Sequence, residues 1–159
     1  MPIPEYIAKL RAFVGHDLLW LPSVSAVVVD VGGRILLGQR ADTGRWSVIS
    51  GFADPGEQPA TAAVREVYEE TGVRVRPDRI TSVLAHPLTY PNGDACSYMN
   101  VAFRCTPVDG TARVNDDESL AVAWFPPDRL PELDEHGRRC VEYGLRPGPA
   151  AWFEQPPPA

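Results

Sequence analysis

Cysteine is scarce in this 159-residue chain: Cys96, Cys105 and Cys140 stand far apart, and no two of them form a Cys-x-x-Cys pair. That spacing argues against a disulfide framework or a cysteine-built zinc site, and favours reduced thiols in a cytoplasmic protein. Long apolar runs are missing too; none approaches the roughly 18 residues that a membrane-spanning helix needs. The opening stretch carries Glu5, Lys9, Arg11 and Asp17 without a clean apolar centre, so no signal peptide is expected. Nor is there an excess of positive charge. Fifteen Lys and Arg against 21 Asp and Glu leave a net charge of −6, which disfavours a broad electrostatic grip on a nucleic acid polymer or an anionic membrane. An anionic ligand would have to be held by metal ions or by a few local arginines.

What is present suits one soluble domain with a real core, since 44% of residues are apolar and 23% charged. Tyr6, Ile7, Leu10, Phe13 and Val14 recur at helical spacing, and Gly15 is a natural stop. Residues 23–40 read as a β-hairpin turning at Gly32-Gly33. A polar loop rich in Gly, Pro and Asp leads to a helix over about Pro59–Thr71, closed by Gly72. Residues 80–90 and 96–105 read as strands joined through Asn92-Gly93, residues 119–126 as another strand, 127–133 as a turn or short helix, and 135–145 as a last helix. The tail is too proline-rich for regular structure. The chain thus divides into an N-terminal helical segment, residues 1–20, a main domain, 21–146, and a tail, 147–159. Its mixture of strands and helices predicts an α/β (α+β) layered domain on a mixed sheet. The N-terminal helix packs either on its own domain or on a second subunit, with a homodimer the favoured expectation.

The stretch "AAVREVYEETGV" poses the main question. Glu66, Glu69 and Glu70 stand at i, i+3 and i+4, where like charges repel on a helical surface. Ala60, Ala63, Val64 and Val67 form the stripe expected to pack on the sheet, which turns the glutamates off the helix flank towards a cleft, neither into the core nor straight to water. Glu57 lies just before the helix, and Gly51 and Gly56 allow sharp bends in the loop. Glu57, Glu66, Glu69, Glu70 and a glycine carbonyl make an all-oxygen donor set, suited to Mg2+ or Mn2+ rather than zinc. Arg65, at i, i+4 from Glu69, can orient the cluster.

Gly51, Glu57 and Arg65-Glu66-Val67-Tyr68-Glu69-Glu70-Thr71-Gly72-Val73 resemble the complete Nudix box, G-x5-E-x7-R-E-U-x-E-E-x-G-U with U aliphatic. "RWSVISGFADPGE" fills the place of the family's usual segment before the helix, and "DDESLAVAWFPPDRLPEL" is similar to its downstream segment. The resemblance implies an α/β/α sandwich with a mixed sheet. It also implies a pyrophosphohydrolase that uses Mg2+ (or Mn2+) to cleave a nucleoside diphosphate derivative, whether ADP-ribose-like, nucleotide-sugar-like or a (d)NTP. Carried over by position, Glu66, Glu69 and Glu70 bind metal, Gly51 offers its carbonyl and Glu57 supports the site. Arg65, Glu66 and Glu69 join the catalytic set. The general base is either Glu66 or a residue outside the box, for which Glu118 is the candidate; the alternative for Glu118 is a solvated turn carboxylate beside Asp116 and Asp117.

Arg40, Arg45 and Trp46 precede the site and are candidate substrate contacts, core packing at a loop–strand junction being the favoured alternative for Trp46. Tyr90 and His86 either line the substrate cleft or stand on an exposed hairpin. Tyr98 is expected in the core, and His16 and His136 receive no role. Ile49-Ser50-Gly51-Phe52 departs from the family's usual Pro-Gly-Gly and is similar to the NADH pyrophosphatase branch, whose further signature "AHPLTYPNGD" matches poorly. A nucleotide-sensing module without catalysis is the rival from another class. The intact glutamate set speaks against it, because a pure binder has no need of a repulsive cluster. A prenyl diphosphate isomerase would want a cysteine near the box, and none lies there.

Overall fold

A computed structural model describes residues 4–90 and 92–157. Pro91 within the expected turn, the first three residues of the N-terminal segment and the last two of the tail lie outside the described residues. The elements run α1 (Glu5–Val14), β1 (Leu19–Val28), β2 (Ile35–Arg40), β3 (Trp46–Ser47), β4 (Ile49–Phe52), α2 (Pro59–Thr71), β5 (Arg74–Thr89), β6 (Ala95–Asp109), β7 (Ser119–Phe125), α3 (Glu135–Leu145) and β8 (Trp152–Phe153). Five strands form the main sheet in the order β4-β1-β6-β5-β8, and β3-β2-β7 form a second, smaller one.

Alternation along β1 explains the layering. Val24, Ala26 and Val28 point to one face, where they pack with Ala62, Ala63 and Val67 of α2. Val27 and Val29 point to the other, where they meet Cys140 and Val141 of α3. Leu21, further back on that second face, packs with Ile7 of α1. The sheet is therefore sandwiched between α2 and the pair α1 and α3, and it is mixed: β1 runs parallel to β6 and antiparallel to β4. Val67 is fully buried; burying such a side chain contributes roughly 1.5–3 kcal/mol.

Two expectations need correction. Residues 23–40 turn at Gly32-Gly33 as expected, with the Asp30 N–H bonded to the Arg34 carbonyl at 3.0 Å and an isolated bridge from Val29 to Ile35, but they do not continue as a hairpin, because β1 and β2 enter different sheets. Both faces of both segments are buried, so each run is consumed as a strand in its own sheet rather than as one arm of a ribbon. The tail is not without regular structure, because Trp152 and Phe153 pair in parallel with Ser82 and Val83. Trp152 is anchored there by stacking on Tyr143 at 4.6 Å. Finally, α1 forms as expected but buries only Ile7 of its five apolar positions, and Phe13 stays 89% exposed.

Candidate active site

Pro59 opens α2 and Gly72, in the left-handed region at φ 69°, ends it. The helix buries Glu66 together with its apolar face; Glu66 is only 3% exposed, so this carboxylate points further inward than the wheel geometry implied. It lies against Gly51 of β4. A Cβ placed on Gly51 would come within 2.2 Å of Glu66 Cδ, so only glycine leaves room for the carboxylate.

Arg65 organises the acidic side chains around itself. Its guanidinium donates to both Glu57 oxygens at 3.1 and 2.9 Å, to Glu66 Oε1 at 2.9 Å, to Glu69 Oε2 at 3.0 Å and to the Phe52 carbonyl at 2.9 Å. These bonds hold the Glu57 carboxyl below its ordinary range and raise Arg65 further above its own. Glu66 moves the other way, since loss of solvent outweighs its bond to Arg65. Glu70 is pushed up to about 8, first by burial and then by repulsion from Glu66 and Asp116. Arg40 opposes that rise at Glu70, but its own guanidinium is committed to Asp42 at 2.9 and 2.5 Å. The cluster is thus neutralised by a guanidinium on the Arg65 flank, while on the Glu70 flank burial and neighbouring acids disfavour the charged carboxylate.

The donor chemistry there is carboxylate oxygen throughout, which fits a hard divalent cation, and the penalty on ionising Glu66 and Glu70 is what such an ion would relieve. Among the described residues no three carboxyl, imidazole or thiol groups converge closely enough to enclose an ion by themselves. Water and phosphate oxygens complete the shell in sites of this kind.

A cleft of about 460 Å³ runs over the cluster, lined by Arg65, Glu66, Glu69 and Glu70 on one side and by Asn115, Asp116, Asp117 and Glu118 on the other. Glu118, singled out on the 110–118 segment, is therefore brought to the same cleft as the α2 carboxylates. Asp116 and Asp117, its neighbours, line it as well. Asn115 fastens this segment to α2, its amide donating to the Tyr68 carbonyl at 2.9 Å. The signal available in the sequence was the run of three acids after Asn115.

The substrate-contact candidates are not brought together. Arg45 and Trp46 line a separate small pocket with Glu132 and Leu133, and the Trp46 ring meets Phe125 edge-on at 4.8 Å. Tyr90 donates or accepts at Tyr98 Oη, 2.8 Å away, within the α1-covered cluster. Arg40 stands near Glu70, paired with Asp42. His136, given no role above, stacks on His86 at 4.2 Å.

Comparison with known proteins accords with this geometry. The NUDIX domain matches residues 19–143. A MutT-like protein of Streptomyces ambofaciens is 41% identical over 124 residues, covering 78% of this chain and 72% of that one. The NAD-capped RNA hydrolase NudC of Klebsiella pneumoniae is 34% identical over 121 residues, covering 73% of this chain. This chain spans 44% of that hydrolase's length. A crystal structure of a MutT NUDIX hydrolase from Burkholderia pseudomallei superposes with a TM-score of 0.67 at 28% identity, covering 79% of this chain and 98% of that one. No helix among the described residues is long and apolar enough to cross a membrane.

Proposed function

The chain belongs to the Nudix hydrolase family, and from that premise we propose that it cleaves a phosphoanhydride bond in a nucleoside diphosphate derivative with the help of Mg2+ or Mn2+. The observation that carries the reading is the burial of Glu66 against Gly51 beside a Glu70 crowded by Glu66 and Asp116. A divalent ion bound there supplies charge neutralisation for the pyrophosphate and acidifies water. Glu66, Glu69 and Glu70 would hold it, with the Gly51 carbonyl as a further donor.

The protein's own side chains do the rest. Arg65 fixes the Glu57, Glu66 and Glu69 carboxylates in place, so it acts as a positioning residue. Glu118 and Glu66 line the same cleft, and either can serve as the proton acceptor. Substrate is read as a nucleotide linked to a second group, such as ADP-ribose or a nucleotide sugar, or as a (d)NTP. A dinucleotide such as NAD is the second reading, supported by Ser50-Gly51-Phe52 and by the similarity to the NAD-capped RNA hydrolase.

Incubating the full chain and Mg2+ with nucleotide sugars, ADP-ribose, NADH and (d)NTPs, and separating the products by chromatography, tests the reading. Release of a nucleoside monophosphate from at least one of them is expected. No product from any would overturn it.

A further inference from the structure

The C-terminal carbonyls of a helix have no partner inside it and carry partial negative charge. In α2 they emerge beside Glu69 and Glu70, and the last turn holds no basic residue of its own. Gly72 N–H meets the Tyr68 carbonyl at 2.9 Å. The other donors come from residues 113–115, which follow β6. Arg113 N–H donates to the Thr71 carbonyl at 3.0 Å, and Asn115 N–H to the Glu70 carbonyl at 3.2 Å. The Asn115 side-chain amide adds a second bond to the Tyr68 carbonyl, at 2.9 Å. The Arg113 guanidinium lies close enough to Gly72 that a Cβ there would meet it at 2.9 Å, so a borrowed cation faces the negative end of the helix.

Asparagine suits this place because one short side chain carries both an acceptor and a donor. Asn115 Oδ1 accepts from the Arg113 guanidinium at 3.1 Å, which turns Nδ2 towards Tyr68. Beyond it the chain turns at Asp116, whose Oδ1 accepts from the N–H groups of Glu118 at 3.3 Å and Ser119 at 3.0 Å. The Glu118 carbonyl then takes the N–H of Ala41, just past the end of β2, at 2.7 Å. Glu118 is thereby held between two anchors, α2 on one side and β2 on the other. It lines the same cleft as Glu66, Glu69 and Glu70.

The two walls of this cleft are both acidic, so their own electrostatics push them apart; Asp116 already repels Glu70. Hydrogen bonds have to set the spacing instead. We infer that Asn115 is a positioning residue for the hydrolysis: it bolts the segment bearing Glu118 to the last turn of the helix bearing Glu69 and Glu70, and so sets the span that a cation and a diphosphate must fill. The inference rests on the proposed hydrolase reading and deepens it, because it brings Glu118 into the reaction through a residue outside the box. Loss of the side-chain bond leaves the backbone bonds of residues 113 and 115 in place, so the segment slackens without coming away.

Two measurements test it. The first compares kcat and KM, on the best substrate of the panel in saturating Mg2+, for wild type, Asn115→Ala, Glu118→Gln and the double variant. With KM nearly unchanged, kcat is expected to fall about tenfold in Asn115→Ala and about 100-fold in Glu118→Gln. Because Asn115 acts through Glu118, the double variant should be no slower than Glu118→Gln alone. Losses that multiply in the double variant, or a single variant with the wild-type kcat, would overturn the inference. The second measurement needs no substrate: amide exchange across residues 113–119 should quicken in Asn115→Ala while α3 keeps its protection. Unchanged exchange would overturn the tie between the walls. If exchange quickens while the wild type cleaves no phosphoanhydride, the tie stands and the hydrolase reading falls.

Discussion

Gly51 and Glu66 compete for one volume: a methyl group on Gly51 would sit 2.2–2.5 Å from the Glu66 carboxylate atoms. A strand glycine and a helix glutamate fifteen positions apart are thereby a single device, because the small residue lets the acid lie flat against β4. Gly51→Ala should therefore displace Glu66. Overpacking of this kind costs about 1–3 kcal/mol, and moving a reacting-site group by an ångström lowers turnover on the order of 100-fold. Thermal unfolding and hydrolysis rates measured on the same variant check both effects.

Arg65 satisfies four separate acceptors, so its removal should act mainly on structure. Arg65→Ala leaves Glu66 buried without its partner, a loss of roughly 2–4 kcal/mol by denaturant unfolding. Arg65→Lys keeps the charge but not the planar fork, and should fall between wild type and the alanine variant. Equal stability of all three would contradict the positioning role.

Glu70 is held near Glu66 and Asp116 at an electrostatic loss. Glu70→Gln should therefore unfold at a higher temperature than wild type in metal-free buffer at neutral to alkaline pH, where folding obliges wild-type Glu70 to take up a proton or, above about pH 8, to keep its charge unfavourably. Added Mg2+ should stabilise the wild type more than the variant. Melting curves with and without Mg2+ show whether the two proteins differ in this way.

His136 is pushed down to about 4, chiefly by burial, with repulsion from His86 adding to it. The folded protein keeps the ring neutral, whereas the unfolded chain takes up a proton at the ordinary imidazole value of about 6.5. Its contribution to stability is therefore complete above that pH and is lost as pH falls from about 6.5 towards 4. His136→Gln should flatten this part of the stability profile, read by denaturant midpoints across the range.

The box helix was legible because its signals are local. Spacing alone places Glu66, Glu69 and Glu70 on adjoining positions and Gly72 at the stop. The two-sheet division was not legible, since Val24–Val29 and Ile35–Leu37 look the same whether they pair with each other or with distant strands. The partner of Trp152 is likewise a strand seventy residues earlier, and nothing in the tail announces it. The bonds from Asn100 to Ser23 and Ser25 left a faint trace: these two serines alternate in an otherwise aliphatic run, which puts both on one face. Their partner Asn100 emerges only from the β1–β6 register.

The central claim is that the α2 carboxylates cleave a phosphoanhydride with a divalent cation. Its most direct test follows nucleoside monophosphate release from the best substrate of the panel, comparing wild type with Glu70→Gln, in Mg2+ and in excess chelator. Turnover by the wild type in Mg2+, falling by at least about 100-fold with the chelator or with the substitution, is the predicted result. Turnover that survives both would contradict it.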